Sequence, residues 1–150
     1  MKRMSEQEAY DRLADFIQDY IYDRGWEHLS TMQVRAVGEV LEKKNNLLFT
    51  AGTAMGKTEA ALMPALTDIY EHPVSSVGIL YISPLKALIN DQFCRIEEML
   101  AGTGLAITKW HGDAAVSRKE KLLLAPGGIL QTTPESMEAM LCRHPENVRI

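Results

Sequence analysis

From residue 47 onward the chain alternates short apolar runs with longer amphipathic segments, and this alternation limits the folds open to it more than any other feature. The runs are Leu47–Thr50, Ser76–Ser83, Leu105–Trp110 and Gly128–Gln131, and the segments after them are Lys57–Glu71, Leu85–Leu100, Ser117–Ala125 and Glu135–Arg143. Runs of roughly four to eight residues, joined through helices rather than hairpin turns, are the pattern of parallel strands covered on both faces. The class expected is α/β with a parallel sheet. Asn147–Ile150 reads as the opening of one more strand.

Two helices precede the alternation. Ser5 with Glu8 forms a capping box, and Tyr10, Leu13, Ile17, Tyr20 and Ile21 then recur at helical spacing, which predicts one helix ended by Gly25. A second begins at Ser30, with Gln33 closing its box and Val34, Val37, Val40 and Leu41 on one face, until Asn45-Asn46 breaks it.

Composition narrows the class further. At 150 residues, 46% hydrophobic and 24% charged, the chain has material for one packed core and is neither collagen-like nor disordered. No apolar stretch reaches the roughly 18 residues of a membrane span, and Met1–Arg12 is too polar for a secretory signal. Cys94 and Cys142 are too few and too scattered for a disulfide scaffold or a zinc site, so reduced thiols and a cytoplasmic location are expected. The net charge of −4, most of it within the first 27 residues, argues against a generally basic nucleic-acid-coating protein. A polyanion partner would be held at local contacts.

The turn Ala51-Gly52-Thr53-Ala54-Met55-Gly56-Lys57-Thr58 joins the first apolar run to a helix carrying Glu59, Ala60 and Leu62. Strand, glycine-containing turn and helix start are what a phosphate requires, because successive N–H groups and the helix's positive end converge there. Lys57 offers a formal charge to terminal phosphates and Thr58 a hydroxyl to Mg2+. Pro64 withholds an amide from the Ala60 carbonyl inside that helix.

Other residues have two readings each. Gln33 presents a donor and an acceptor together, which suits the N6 and N7 edge of adenine, and it also suits a plain capping box. Ser83-Pro84 and Thr133-Pro134 each end a strand at a hydroxyl residue and start a helix with proline. Helix amides would then face the carboxyl edge of the sheet, for phosphodiesters or simply as caps. Lys86 and Lys109 read also as solvated charges, and Arg118, Lys119 and Lys121 as a wet helix face rather than a binding patch.

In combination these motifs resemble the first RecA-like domain of superfamily 2 helicases, the DEAD/DEAH and DExH group, and within it the large helicase-related branch. Gly25, Trp26 and Gln33 look like the adenine-reading Q motif, and Ala51–Glu59 like motif I. Tyr81–Gln92, containing Ser83, Pro84, Leu85 and Lys86, is similar to motif Ia. His111-Gly112-Asp113 resembles a tripeptide of the branch, Gly127-Gly128 the family's glycine pair, and Thr132-Thr133-Pro134-Glu135-Ser136 motif Ic.

The resemblance implies a RecA-like P-loop domain over 26–150, behind an N-terminal helix over 1–25, with helices on both faces of the sheet and the Walker B strand only begun. It implies ATP and Mg2+ as cofactors, with Trp26, Gln33, Ala51, Gly52, Thr53, Ala54, Met55, Gly56, Lys57, Thr58 and Glu59 at the nucleotide. Of these, Lys57 and Thr58 would act in catalysis and Thr58 would touch the metal. It further implies a nucleic-acid backbone at Ser83, Pro84, Leu85, Lys86, His111, Gly112, Asp113, Gly127, Gly128, Thr132, Thr133, Pro134 and Glu135. A second RecA-like domain would be a partner.

Ala54 stands where motif I usually has glycine and Met55 where a small residue is usual. A Cβ at a positive-φ position costs on the order of 1 kcal/mol, several-fold in nucleotide affinity. The 150 residues contain no D-E-x-D or D-E-x-H. Nucleotide binding without efficient hydrolysis is therefore expected of them alone, and a bared sheet edge is expected to favour self-association. The readings left open are part of a nucleic-acid-dependent ATPase, an ATP-binding module that does not hydrolyse, and another P-loop enzyme such as a small-molecule kinase.

Overall fold

A computed structural model of the chain describes residues 4–42, 45–52, 55–84, 86–110 and 127–143. They fall into two compact units, one ending at Pro73 and one beginning at Val74. Among the described residues, no helix is long and apolar enough to cross a membrane.

The first unit is helical: α1 (Glu6–Asp11), α2 (Asp15–Asp23), α3 (Thr31–Glu42) and α4 (Lys57–Glu71). The capping box of Ser5 and Glu8 opens α1 as expected. The single helix expected up to Gly25 is instead two. Ala14 is extended, at φ −60° and ψ 151°, and its N–H leaves the helix to donate to Thr67 Oγ1 of α4 at 3.1 Å. Gln18 Nε2 repairs the break by donating to the carbonyls of Tyr10 and Leu13. Ala9, Ile17, Ala36, Val37, Met63 and Leu66 form the buried interior of this unit. The 15-residue α4 continues through Pro64, which is itself buried.

Gly25 ends α2 at φ +65°. The Gly25 N–H donates to Tyr22 O and the Trp26 N–H to Ile21 O, the paired bonds of a Schellman motif. Such motifs usually carry an apolar contact back onto the last helical turns, and Trp26 makes it edge-on with Tyr20 at 6.1 Å between ring centroids.

The second unit contains a parallel sheet of β1 (Ile79–Ile82), β2 (Ile107–Trp110) and β3 (Ile129–Thr132), in the order β1-β3-β2. Helix α5 (Lys86–Met99) lies against β2 and β3, where Lys109 Nζ reaches Asn90 Oδ1 at 3.0 Å and stands over the Phe93 ring at 3.9 Å. The other face is packed by α6 (Pro134–Arg143), whose Met137 and Met140 meet Leu130 and Trp110. Helices on both faces of a parallel sheet are the α/β arrangement expected from the alternation, and the RecA-like one that the resemblance implies.

Two strand expectations need correction. Only central β3 is buried along its whole length, while Leu80 and Ile82 of β1 are exposed because α6 covers β3 and β2 and not them. Leu47–Thr50 belongs to no strand, and Leu48 is 89% exposed. A strand needs a neighbouring ladder for its amides, and every other regular element of its unit is a helix. The segments Ser117–Ala125 and Asn147–Ile150 lie outside the described residues.

Candidate functional site

The turn before α4 is built around Gly56, which caps the helix in the left-handed conformation at φ +72° and ψ +27°. A Cβ there would stand 3.0 Å from Gln33 Nε2 and 3.9 Å from Glu59 Oε2, so the glycine is demanded by backbone and by neighbours alike. Lys57 folds back over the turn, its ammonium donating to Ala51 O at 2.6 Å and Gly52 O at 2.7 Å. The loop thus holds its own cation at its centre. Thr58 is half-buried in the first turn and Glu59 is buried. Thr53 and Ala54 lie outside the described residues.

Gln33 satisfies its bland reading in full. Its N–H donates to Ser30 Oγ at 3.2 Å while its Oε1 accepts the Ser30 N–H at 2.8 Å, a reciprocal capping box at the start of α3. That bond fixes the amide: an N–H can only face the carbonyl oxygen, so Nε2 is the end turned to Gly56. One lone pair of Oε1 remains beyond the one given to Ser30.

Ser30 and Thr31 of the cap meet Ala51 and Met55 of the turn along one groove of about 590 Å³. Trp26 is not brought to it. Trp26 lines a different cavity of about 510 Å³ with Tyr10, Tyr22, Glu6 and Glu27, and no described residue of the phosphate turn borders that cavity. The Schellman contact with Tyr20 is what turns the indole there.

The donor set suits a magnesium triphosphate. It has a lysine, helix-start amides and one hydroxyl, and Mg2+ characteristically takes few protein ligands beside water and phosphate oxygens. No group of three or more His, Cys, Asp and Glu that would itself cage a metal occurs among the described residues.

In the second unit Thr132 gathers all three strand ends. Its carbonyl accepts the Ser83 N–H at 3.0 Å and its Oγ1 donates to Trp110 O at 2.6 Å. Ser83-Pro84 and Thr133-Pro134 therefore lie side by side at the carboxyl edge of the sheet, both hydroxyl residues buried and both prolines at the surface. Thr133 also caps α6: its Oγ1 accepts the Ser136 N–H at 3.3 Å and donates to Ser136 Oγ. With no N–H on Pro134, the cap thus consumes one amide that the sequence offered to a phosphate. Glu135 follows in the exposed first turn. Lys86 opens α5, while Leu85 and His111-Gly112-Asp113 lie outside the described residues.

Gly127 and Gly128 are not brought to that edge. They precede β3, at its amino end, about 16 Å or more of extended chain away from Thr133. Gly128 has φ +63°, and a Cβ on it would stand 2.1 Å from Ala106 O. Its carbonyl accepts the N–H groups of Gly78 and Ile79, and the following Ile129 N–H donates to Ala106 O. The sheet's close approach to backbone requires this glycine.

A family model described as DEAD/DEAH box helicase matches residues 30–150. The chain belongs to the DEAD/DEAH box helicase family. Among its relatives, the DExH-box ATP-dependent RNA helicase DExH12 of Arabidopsis thaliana is 30% identical over 116 residues, 77% of this chain and 5% of that protein. The DUF1998 helicase MrfA, solved bound to DNA, superposes with a TM-score of 0.80 at 26% identity, over 91% of this chain and 19% of that one. The helicase Lhr of Mycobacterium smegmatis, solved bound to ssDNA and AMP-PNP, superposes with a TM-score of 0.74 at 26% identity, over 89% of this chain and 18% of that one. The chain thus spans less than a fifth of each of these relatives. Its fold is that of their RecA-like domains.

Sequence reasoning missed three parts of the site. These are the fit of Gln33 to Gly56, the grip of Lys57 on the turn's carbonyls, and the hub made by Thr132. Each depends on side-chain direction in space, for which a linear spacing carries no signal.

Proposed function

We propose that residues 26–150 form the ATP-binding part of a nucleic-acid-dependent ATPase, a helicase or translocase in which ATP hydrolysis drives movement along or opening of a duplex. The observation that carries this reading is the Lys57 ammonium held at the centre of a turn capped by left-handed Gly56. An entering phosphate would exchange two carbonyl contacts for a charge-assisted one. Lys57 would then bind the terminal phosphates, Thr58 the Mg2+, and the turn 51–59 the phosphate chain, with Gln33 at the adenine edge. When bound, MgATP supplies the phosphoanhydride whose cleavage powers the motion. The acidic pair that activates water would come from a D-E-x-D or D-E-x-H sequence outside these 150 residues, and a second RecA-like domain would complete the machine.

The nucleic-acid backbone is assigned to the carboxyl edge: Ser83, Pro84, Leu85, Lys86, Thr132, Thr133, Pro134 and Glu135, with His111-Gly112-Asp113. DNA in the MrfA complex and AMP-PNP in the Lhr complex support the two ligand classes. Contacts of this kind ignore base identity and weaken with salt. Trp26, turned to another cavity, and Gly127-Gly128, at the opposite strand end, are left out of the site. Exposed, free Cys94 and Cys142 fit a cytoplasmic protein. Leu47, Leu48, Leu80 and Ile82, all exposed, would favour self-association, visible by light scattering as mass rising with concentration and contradicted by a constant monomer mass.

Calorimetric titration of MgATP into the chain and into Lys57→Ala tests the nucleotide reading. Saturable heat with the wild type and none with the variant is expected, and equal heats would overturn it.

A further inference from the structure

Two successive backbone amides ahead of α3 are each held by a side-chain oxygen, and the two oxygens come from different helices. The Ser30 N–H donates to Gln33 Oε1 of α3 at 2.8 Å, and the Leu29 N–H donates to Glu6 Oε1 of α1 at 2.7 Å. The second bond is charge-assisted and short. Glu6 also stands 3.4 Å from His28 Nδ1, so one carboxylate touches two consecutive residues of the entry to α3. Leu29 itself is buried, and α1 packs along α3. The contacts therefore run in sequence from Glu6 through Leu29 and Ser30 to the Gln33 amide, and from its Nε2 to Gly56.

We infer that Glu6 is a positioning residue for base recognition: by fixing Leu29 it fixes the Ser30 amide, and by that it sets the orientation in which Gln33 meets a nucleotide base. The inference rests on the adenine role proposed above for Gln33. Glu6, His28 and Leu29 lie outside 30–150, the part matched by the family model, and Ser30 and Gln33 within it. Without Glu6 the Leu29 amide has no acceptor, the cap loses its fixed entry, and the Gln33 amide can rotate. Rotation exchanges its donor and acceptor ends, so the two-bond fit to the N6 donor and N7 acceptor of adenine is no longer held, and the turned amide keeps a single bond, donated by Nε2, which the O6 or N7 acceptor of guanine takes as readily as the N7 of adenine.

The test is the ratio of GTP to ATP dissociation constants, with Mg2+, for the 150-residue chain and for Glu6→Ala, Glu6→Asp, Glu6→Gln and Gln33→Ala. Wild type is expected to prefer ATP by about tenfold, the scale of one oriented hydrogen bond. Glu6→Ala should bring the ratio to within about twofold of unity. Glu6→Asp keeps an acid in the first turn of α1 but withdraws the acceptor, and should do the same. Glu6→Gln retains an oxygen for the Leu29 N–H and should restore the preference, a rescue that lost folding alone would not show. An unchanged ratio in both Glu6→Ala and Glu6→Asp, with the ratio lost in Gln33→Ala, overturns the role of Glu6 and leaves the adenine reading standing. A wild type without preference, or a Gln33→Ala that keeps it, overturns the adenine reading and this inference with it.

Discussion

Gln33 and Gly56 are fitted to each other: the amide Nε2 of the first occupies the space 3.0 Å from where the second would carry a Cβ. The start of α3 and the start of α4 are thus matched at a position with φ +72°, and the phosphate turn and the proposed base reader share one wall.

Gly56→Ala should consequently act twice. The left-handed backbone costs about 1–2 kcal/mol with a Cβ, and the methyl displaces the Gln33 amide. Urea unfolding should show a loss of that size, and MgATP affinity should fall about tenfold. Wild-type stability and affinity together would mean that the two residues do not touch.

Gly128→Ala and Gly127→Ala should differ sharply. The first places a Cβ 2.1 Å from Ala106 O at φ +63°, whereas the second meets nothing within 4 Å. Loss of at least about 3 kcal/mol, or no folded second unit, is expected for Gly128→Ala, and no more than about 0.5 kcal/mol for Gly127→Ala. Circular dichroism with urea titration distinguishes them. Nucleic-acid affinity should be unchanged in Gly127→Ala.

Thr67→Val isolates the bond that divides α1 from α2. Fully buried Thr67 donates from Oγ1 to Met63 O and accepts the Ala14 N–H there. Valine fills the volume but leaves that amide without an acceptor, which costs about 1–3 kcal/mol. A urea midpoint equal to wild type would contradict the structure at this point.

Gln131 presents the opposite case. It is fully buried in central β3, and among the described residues neither Oε1 nor Nε2 has a hydrogen-bond partner. Burying an unpaired amide costs roughly 1–3 kcal/mol, so Gln131→Leu should raise the thermal midpoint. A lowered midpoint would show that the amide is satisfied in solution.

Much of this architecture is written in periodicity. The apolar runs around Ile79, Ile107 and Ile129 alternate with helices as a covered parallel sheet must, and both capping boxes, Ser5 with Glu8 and Ser30 with Gln33, stand where their spacing put them. What escaped was tertiary. Nothing near Leu13 marks a helix break, because its cause is Thr67, far along the chain. Leu47–Thr50 has strand composition, yet no strand pairing includes it among the described residues. Trp26 has a plausible motif position, yet a helix-end motif turns it to Tyr20. Of Gly127-Gly128, the second is required by the Ala106 backbone beside it, which spacing alone does not show.

Amide hydrogen exchange across residues 51–60, with and without Mg2+ and a non-hydrolysable ATP analogue, probes the phosphate turn directly. Slowed exchange centred on Gly52 and Met55–Thr58, absent in Lys57→Ala, is the result expected. Exchange there that ignores nucleotide, or protection appearing only in other segments, would contradict the account.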